Sequence, residues 1–346
     1  MRIAQVAPLF QRVPPVQYGG TERVMYNLVE GLVARGHDVT LFASGDAQTS
    51  ARLVPVVPKP LWFDPSVRDV VAPHFTLHRQ VFARAREFDV IHNHNDYYAF
   101  PYLRTSPTPV VTTMHGRCDL PELQAVLEVF PEAMLVSISN SQRASFPEGN
   151  WVGTVHHGLD LGRYPFNPRG GEGLVFLGRI SPEKAPHVAI DVAIEAGLPL
   201  TIAARVDPSD RPFFEREVKP RLDHPLVRFV GEVDDAEKVR LLGSSRALLL
   251  PLDWPEPFGL VMIEAMACGT PAVVRPCGAA PEIVADGVTG FLASARAQLV
   301  AAVRAADRID RAACRQRVEE RFSVRAMVDG YEAIYRRLAA ARRLTA

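Results

Sequence analysis

Twice along this chain, short apolar runs alternate with stretches of helical period, and a proline- and glycine-rich break separates the two series. That rhythm narrows the possible folds more than any other feature. Apolar runs buried on both faces belong to parallel sheets, and parallel neighbours need a crossover between them, usually a helix. The first series places strands at 3–7, 39–43, 90–92, 110–114 and 135–138. Its first helical pattern, 22–34, sets Val24, Leu28 and Leu32 on one side, with Thr21 expected to cap its start and Gly36 to stop it. Residues 45–73 are proline-rich and aperiodic, and read as a long loop with a short helical piece. The second series places strands at 174–177, 200–203, 227–230, 247–250, 272–274 and 290–292. The break between them holds Val155-His-His-Gly-Leu-Asp160 and Tyr164-Pro-Phe-Asn-Pro168. A last helical pattern, 324–343, carries Met327, Tyr331, Ile334, Tyr335 and Leu338 as its apolar face.

The bulk properties exclude several classes. A chain of 346 residues accommodates two domains. Lys+Arg and Asp+Glu both total 39, so no global field gathers nucleic acid or an anionic membrane. The tail arginines Arg336, Arg337, Arg342 and Arg343 have only Leu338 and Leu344 among them, and read as a solvated helix face. No apolar run reaches the length of a membrane span, and Arg2 leads directly into the first strand with no room for a signal peptide, so a cytoplasmic protein is expected. Cys118, Cys268, Cys277 and Cys314 form no C-x-x-C pair and suggest neither a zinc site nor a disulfide framework.

Ligands of open parallel sheets bind beyond the carboxyl ends of the strands, so the loops there hold the chemistry. The most informative is Trp254-Pro-Glu-Pro-Phe-Gly-Leu, between the 247–250 strand and a helix pattern at 260–268. Pro255 and Pro257 keep Glu256 on a loop, Gly259 permits a tight backbone, and the first amides after Phe258-Gly259-Leu260 have no intrahelical acceptors. Such a helix start suits an anion, whereas Glu256 and Glu264 would repel one and instead suit pairs of sugar or ribose hydroxyls. Gly19 and Gly20, in Tyr18-Gly-Gly-Thr-Glu22, let backbone approach a ligand closely. Arg179 and Lys184, in Gly178-Arg-Ile-Ser-Pro-Glu-Lys184, offer a guanidinium fork and a mobile point charge to a diphosphate, with Arg205 as a further phosphate or nucleotide contact. His115 ends the strand of Thr112-Thr-Met-His-Gly116. His92 and His94 alternate on one strand without an identifiable third ligand, and read as site wall or acceptor contacts rather than metal ligands. Glu282, in Cys277-Gly-Ala-Ala-Pro-Glu-Ile283, is placed to brace the site or a helix start.

These motifs resemble glycosyltransferase family 4, retaining enzymes of the GT-B fold, whose E-x-x-x-x-x-x-x-E signature is read here from Glu256 to Glu264 and whose G-R-x-x-x-x-K is read from Gly178 to Lys184. The likeness runs from Met1 through the final helix, with Ala204 and Ala279 standing where many relatives have glycine. The resemblance implies an α/β protein of two Rossmann-like domains facing each other across a cleft: an acceptor domain at 1–160 completed by the helix 324–346, and a nucleotide-sugar domain at 165–322. It implies a hexosyl transfer, glucose from UDP-glucose as first choice, with the nucleotide sugar as donor substrate and no separate cofactor. No D-x-D triplet occurs in the chain, so a metal is not expected. By the same likeness Glu256 orients the sugar, Glu264 grips the ribose, Gly19 and Gly20 face the diphosphate, and His115 donates a hydrogen bond near the reacting centre. A GT-B epimerase acting on donor alone and a non-catalytic nucleotide-sugar-binding regulator are the competing readings. No pattern in the chain names the acceptor or an oligomeric state.

Overall fold

Both apolar series form parallel sheets. The computed structural model describes residues 1–16 and 19–345; Tyr18 of the glycine motif and Ala346 of the tail lie outside the described residues. The chain divides into two units, Met1–Gly158 with Val324–Ala346, and Leu159–Ser323.

The first unit is built from β1 (Arg2–Val6), β2 (Asp38–Ser44), β3 (Arg52–Val57), β4 (Val90–Asn93), β5 (Val110–Thr113), β6 (Met134–Ser137) and β7 (Trp151–Thr154), in the spatial order β3-β2-β1-β4-β5-β6-β7. The order runs outward from β1 to β3 and then reverses at β4. Crossover loops therefore diverge between β1 and β4, which is where such sheets leave room for a ligand. One face packs Val6, Phe42 and Phe88 with Leu77 and Val81 of the helix Ala72–Ala83, and a second cluster gathers Phe100, Met114, Leu127, Leu135 and Trp151.

Two of these strands differ from the sequence expectation. The stretch 45–73 is not one long loop, because Arg52–Val57 pairs in parallel with β2. Pro55 lacks an amide to donate, and it is tolerated because β3 forms the sheet edge, where one side of the strand has no neighbour. Trp151–Thr154 is the other edge and was not expected as a strand at all. The first helix, Gly20–Ala34, also starts earlier than its apolar period: Gly19 is the cap residue, no side chain caps it, and Thr21 lies inside the helix.

The helix Val324–Thr345 completes this unit although the whole second unit precedes it in sequence. Arg35 pairs with Asp329 at 2.6 Å, and His37 meets Glu332 at 2.8 Å. The tail arginines are not simply a solvated face: Arg342 donates to the Phe88 carbonyl at 3.1 Å, Arg337 to that of Val152, and Arg336 pairs with Glu332.

The second unit holds β8 (Leu174–Arg179), β9 (Leu200–Arg205), β10 (Val227–Gly231), β11 (Ala247–Leu250), β12 (Ala272–Val274) and β13 (Gly290–Leu292), ordered β10-β9-β8-β11-β12-β13. Its reversal lies between β8 and β11. Val175, Phe176, Ile202, Leu248, Leu249 and Val273 are fully buried in its core. Among the described residues, no helix is long and apolar enough to cross a membrane.

Gly31 sets how closely the first helix meets the last. A Cβ there would sit 2.7 Å from Val328 Cγ2 and 2.9 Å from Val324 Cγ1. Gly31→Leu is expected to destabilise the first unit by about 1–3 kcal/mol, the usual cost of overpacking, read as a lowered melting temperature. An unchanged melt would show that the two helices separate freely.

Candidate functional site

In the second unit the charged residues singled out from sequence lie on loops at the carboxyl edge of neighbouring strands. Arg179 and Arg205 are the last residues of β8 and β9 and are paired in register. Two guanidinium groups side by side repel, and acidic side chains offset that. Arg179 reaches Glu183 at 3.1 Å and Asp210 at 3.6 Å, while Arg205 forks onto Asp207 at 2.7 and 3.1 Å. Both arginines remain partly exposed, so these pairs are solvent-screened and open to exchange with another anion.

Lys184 closes a single turn after β8, and Glu256 lies on the loop after β11. They form an ion pair across the strand-order reversal. Both are largely buried, and the Lys184 ammonium also lies 5.2 Å from the centre of the Trp254 ring. The backbone following Lys184 is strained, since Ala185 takes a left-handed conformation at φ 50° before the next helix begins at Pro186.

The Glu256 loop is held from beneath by a second turn. The Ala279 amide donates to the Glu256 carbonyl at 2.9 Å. Gly278, at φ 58°, lies so close that a Cβ there would run into the backbone N and O of Glu256. The neighbouring Glu282 is tied through its own carbonyl, which accepts from Arg317 at 2.9 Å. Three residues after Glu256, Gly259 adopts φ 85° and the helix Leu260–Ala267 starts with no side-chain cap, Phe258 being buried just before it.

Glu264 is buried on that helix and already engaged. Tyr164 donates its hydroxyl to Oε1 at 2.8 Å, and Lys238 donates to the same oxygen at 2.7 Å. Sequence reasoning singled out neither partner. Tyr164 sits in the proline-rich break and Lys238 on the helix Asp235–Gly243, where a lone lysine has no distinguishing signal.

The first unit gathers a different chemistry at its reversal. Gln5 of β1, His92 of β4, His94 just beyond it, and His115 just beyond β5 join in one hydrogen-bonded network with Thr113, Tyr331 and Tyr335. His94 Nδ1 lies 2.9 Å from His115 Nε2, and His94 Nε2 lies 2.8 Å from Gln5 Oε1. His92 is bound at both nitrogens, by Tyr335 at 2.6 Å and Thr113 at 2.7 Å. Both rings that could have suggested a metal site are thus committed to protein partners. His157 stacks against His115, with centroids 5.4 Å apart. His115 is half-buried as a residue, and its Nδ1 is sealed from water with no partner among the described residues. That desolvation pulls its pKa down to about 3. Burial holds His92, His94 and His157 well below the ordinary imidazole range, the neighbouring rings adding to it.

On the loop after β1, Gly19 and Gly20 lead into the first helix. A Cβ on Gly19 would sit 2.6 Å from that of Pro15 and 3.2 Å from Gln11 Oε1, so only glycine fits that turn.

The comparisons with known proteins bear on the family and the fold. Residues 166–321 match the family model described as glycosyl transferases group 1, and residues 18–146 match the model of glycosyltransferase family 4. The glycogen synthase of Mycobacterium tuberculosis (strain CDC 1551 / Oshkosh) is 30% identical over 400 residues, covering 97% of this chain and 94% of its own. The phosphatidyl-myo-inositol mannosyltransferase of Mycobacterium leprae is 28% identical, covering 85% of this chain and 84% of its own. AviGT4, a glycosyltransferase involved in avilamycin A biosynthesis, shares the fold with a TM-score of 0.75 at 24% identity, over 98% of each chain. HepE from Anabaena, solved in complex with UDP-glucose, shares it with a TM-score of 0.73 at 20% identity, over 98% of this chain and 100% of its own.

Gly278→Ala should displace the Glu256 loop, at about 1–3 kcal/mol for a side chain forced into a left-handed, sterically closed position; a variant that melts like the parent would remove the turn from the site's construction. The buried histidines set a pH dependence. Their folded pKa values lie below the unfolded value of about 6.5, so the unfolded chain binds protons first as pH falls. Stability contributed by these neutral rings is complete above pH 6.5 and is lost as pH falls toward the folded values, about 3 for His115. Melting temperature should therefore drop steadily below about pH 6.5, and a flat profile down to about pH 5 would contradict the neutral network.

Proposed function

The chain belongs to glycosyltransferase family 4, and from that premise we propose that it is a retaining enzyme moving a hexosyl unit, glucose first, from a UDP-sugar to a hydroxyl of its acceptor. The observation that carries this reading is the meeting of Arg179, Arg205, Lys184 and Glu256 with an uncapped helix start around one strand-order reversal. Cations and backbone amides suit a diphosphate, and the carboxylate among them suits hydroxyls. The UDP-glucose bound by HepE and the glucan-forming role in the name of the glycogen synthase relative support the choice of donor.

In this reading Leu159–Ser323 holds the donor and the other unit receives the acceptor. As the anomeric C–O bond to the diphosphate breaks, negative charge grows on the leaving phosphate oxygens. Arg179, Arg205 and the amides from Gly259 and Leu260 meet that charge in place, so little reorganisation is needed as it develops. These protein groups do the work for which a metal is otherwise used. Lys184 holds Glu256 in position, and Glu256 accepts hydrogen bonds from the sugar hydroxyls. Glu264, fixed by Tyr164 and Lys238, takes the ribose hydroxyls. Gly19 and Gly20 let backbone approach the diphosphate, and His115 contacts the transferred sugar. The acceptor oxygen bonds to the anomeric carbon from the leaving-group face while its proton passes to the departing diphosphate, which gives retention.

Glu256→Gln keeps the shape of the side chain and removes its charge. It should bind UDP nearly as the parent does and lose about 100-fold or more in kcat. Arg179→Ala should weaken UDP binding as well, by about 10-fold or more. Calorimetry with UDP and a transfer assay with UDP-glucose separate the two, and parental activity in both variants would end the assignment.

A further inference from the structure

The hydrogen bonds around His115 have a direction, and it can be traced to the last helix. The Gln5 amide donates from Nε2 to the Tyr335 hydroxyl at 3.1 Å, which turns Oε1 toward His94 Nε2 at 2.8 Å. An amide oxygen only accepts, so the His94 proton is on Nε2. Neutral His94 then has a bare Nδ1, and the 2.9 Å contact with His115 Nε2 must be a donation from His115. Neutral His115 in turn carries a bare lone pair at Nδ1. The other branch agrees. Having accepted from Gln5, Tyr335 donates to His92 Nδ1 at 2.6 Å; His92 Nε2 donates to Thr113 at 2.7 Å; Thr113 donates to the Tyr331 hydroxyl at 2.9 Å. No proton is used twice.

The opposite polarity needs the Gln5 amide turned over and every bond reversed. It would leave a proton on His115 Nδ1, an atom sealed from water with no acceptor among the described residues. Buried N–H groups without acceptors are rarer in folded proteins than acceptors without donors, which favours the first polarity.

We propose that Tyr335 is a positioning residue that fixes the tautomer of His115 through Gln5 and His94, so that the single proton of the neutral His115 ring sits on Nε2 and is committed to His94. This reverses the donor role that the family resemblance implied. It deepens the transferase reading, on which the contact of His115 with the transferred sugar rests: with its one proton held by His94, the ring has none left to give the sugar. The pKa of His115, about 3, keeps the ring neutral at working pH.

The test is nitrogen-15 NMR of histidine-labelled, full-length protein without ligand at neutral pH, with His115 assigned from the spectrum of His115→Gln. The expected spectrum shows a pyridine-like Nδ1 and a protonated Nε2. A proton on Nδ1 of the parent protein would overturn the proposal. Tyr335→Phe should release the Gln5 amide and bring His115 into exchange between tautomers. Tyr331→Phe deletes an equally buried hydroxyl beyond the Tyr335–Gln5–His94 branch, and should leave the His115 signals unchanged. A single, unaltered tautomer in folded Tyr335→Phe would also overturn it, and the parent spectrum decides alone where that variant does not fold. In transfer assays Tyr335→Phe should lower kcat about 10-fold, one lost hydrogen bond, with donor KM nearly unchanged. Absence of any transfer by the parent protein would reject the proposed function while leaving the tautomer measurement standing.

Discussion

Where the strand order of the second sheet reverses, Lys184 and Glu256 meet, and that contact holds together the two loops that carry them. Each residue sits on a loop leaving a different strand, and neither charge is cheap to hold largely out of water without the other. Their pairing ties the two loops across the gap. The tie is backed by Ala279 and by the bare α-carbon of Gly278, so the carboxylate is fixed through both its side chain and its main chain. Arg179 and Arg205 then follow from register alone, because adjacent parallel strands ending together put their last residues side by side. The carboxylates of Glu183, Asp207 and Asp210 occupy them. Any incoming anion would have to displace these carboxylates, because neither cation stands bare.

The first unit meets the same topological opening by different means. No side chain of its central network carries a charge at neutral pH. Order comes from the directionality of imidazole, amide and hydroxyl groups, each with a limited supply of protons and lone pairs. A charge pair tolerates small errors of angle, whereas a directed chain does not. One unit is built to hold charge, and the other to hold orientation.

How much of this was legible in the sequence depended on how local the cause was. Central strands such as Ala247–Leu250 and Ala272–Val274 are apolar on both faces and were readable, whereas both edge strands of the first sheet were missed. Pro55 and Gly153 look like loop residues. The first is tolerated by an open edge, and the second is required because a Cβ would sit 2.8 Å from Ile334 Cδ1 of the last helix. The strand-end residues Arg179, Lys184, Arg205 and Glu256 were readable because short motifs mark them. The long-range pairings were not. Lys184 finds Glu256 across 72 positions, Glu264 finds Tyr164 across 100, and Gln5 finds Tyr335 across 330. A lone tyrosine or glutamine carries no local sign of a contact so remote, and the aromatic stripe of the last helix read only as an apolar face.

That last helix has a consequence for how the molecule is made. Tyr331 and Tyr335 complete the interior of a unit whose residues Met1–Gly158 are synthesised before the entire second unit. On the ribosome the early portion must wait, with Gln5, His92 and Thr113 lacking their hydroxyl partners, until some 165 intervening residues (159–323) have emerged. The order of assembly is thereby opposite to the order of translation: the half begun first is finished last.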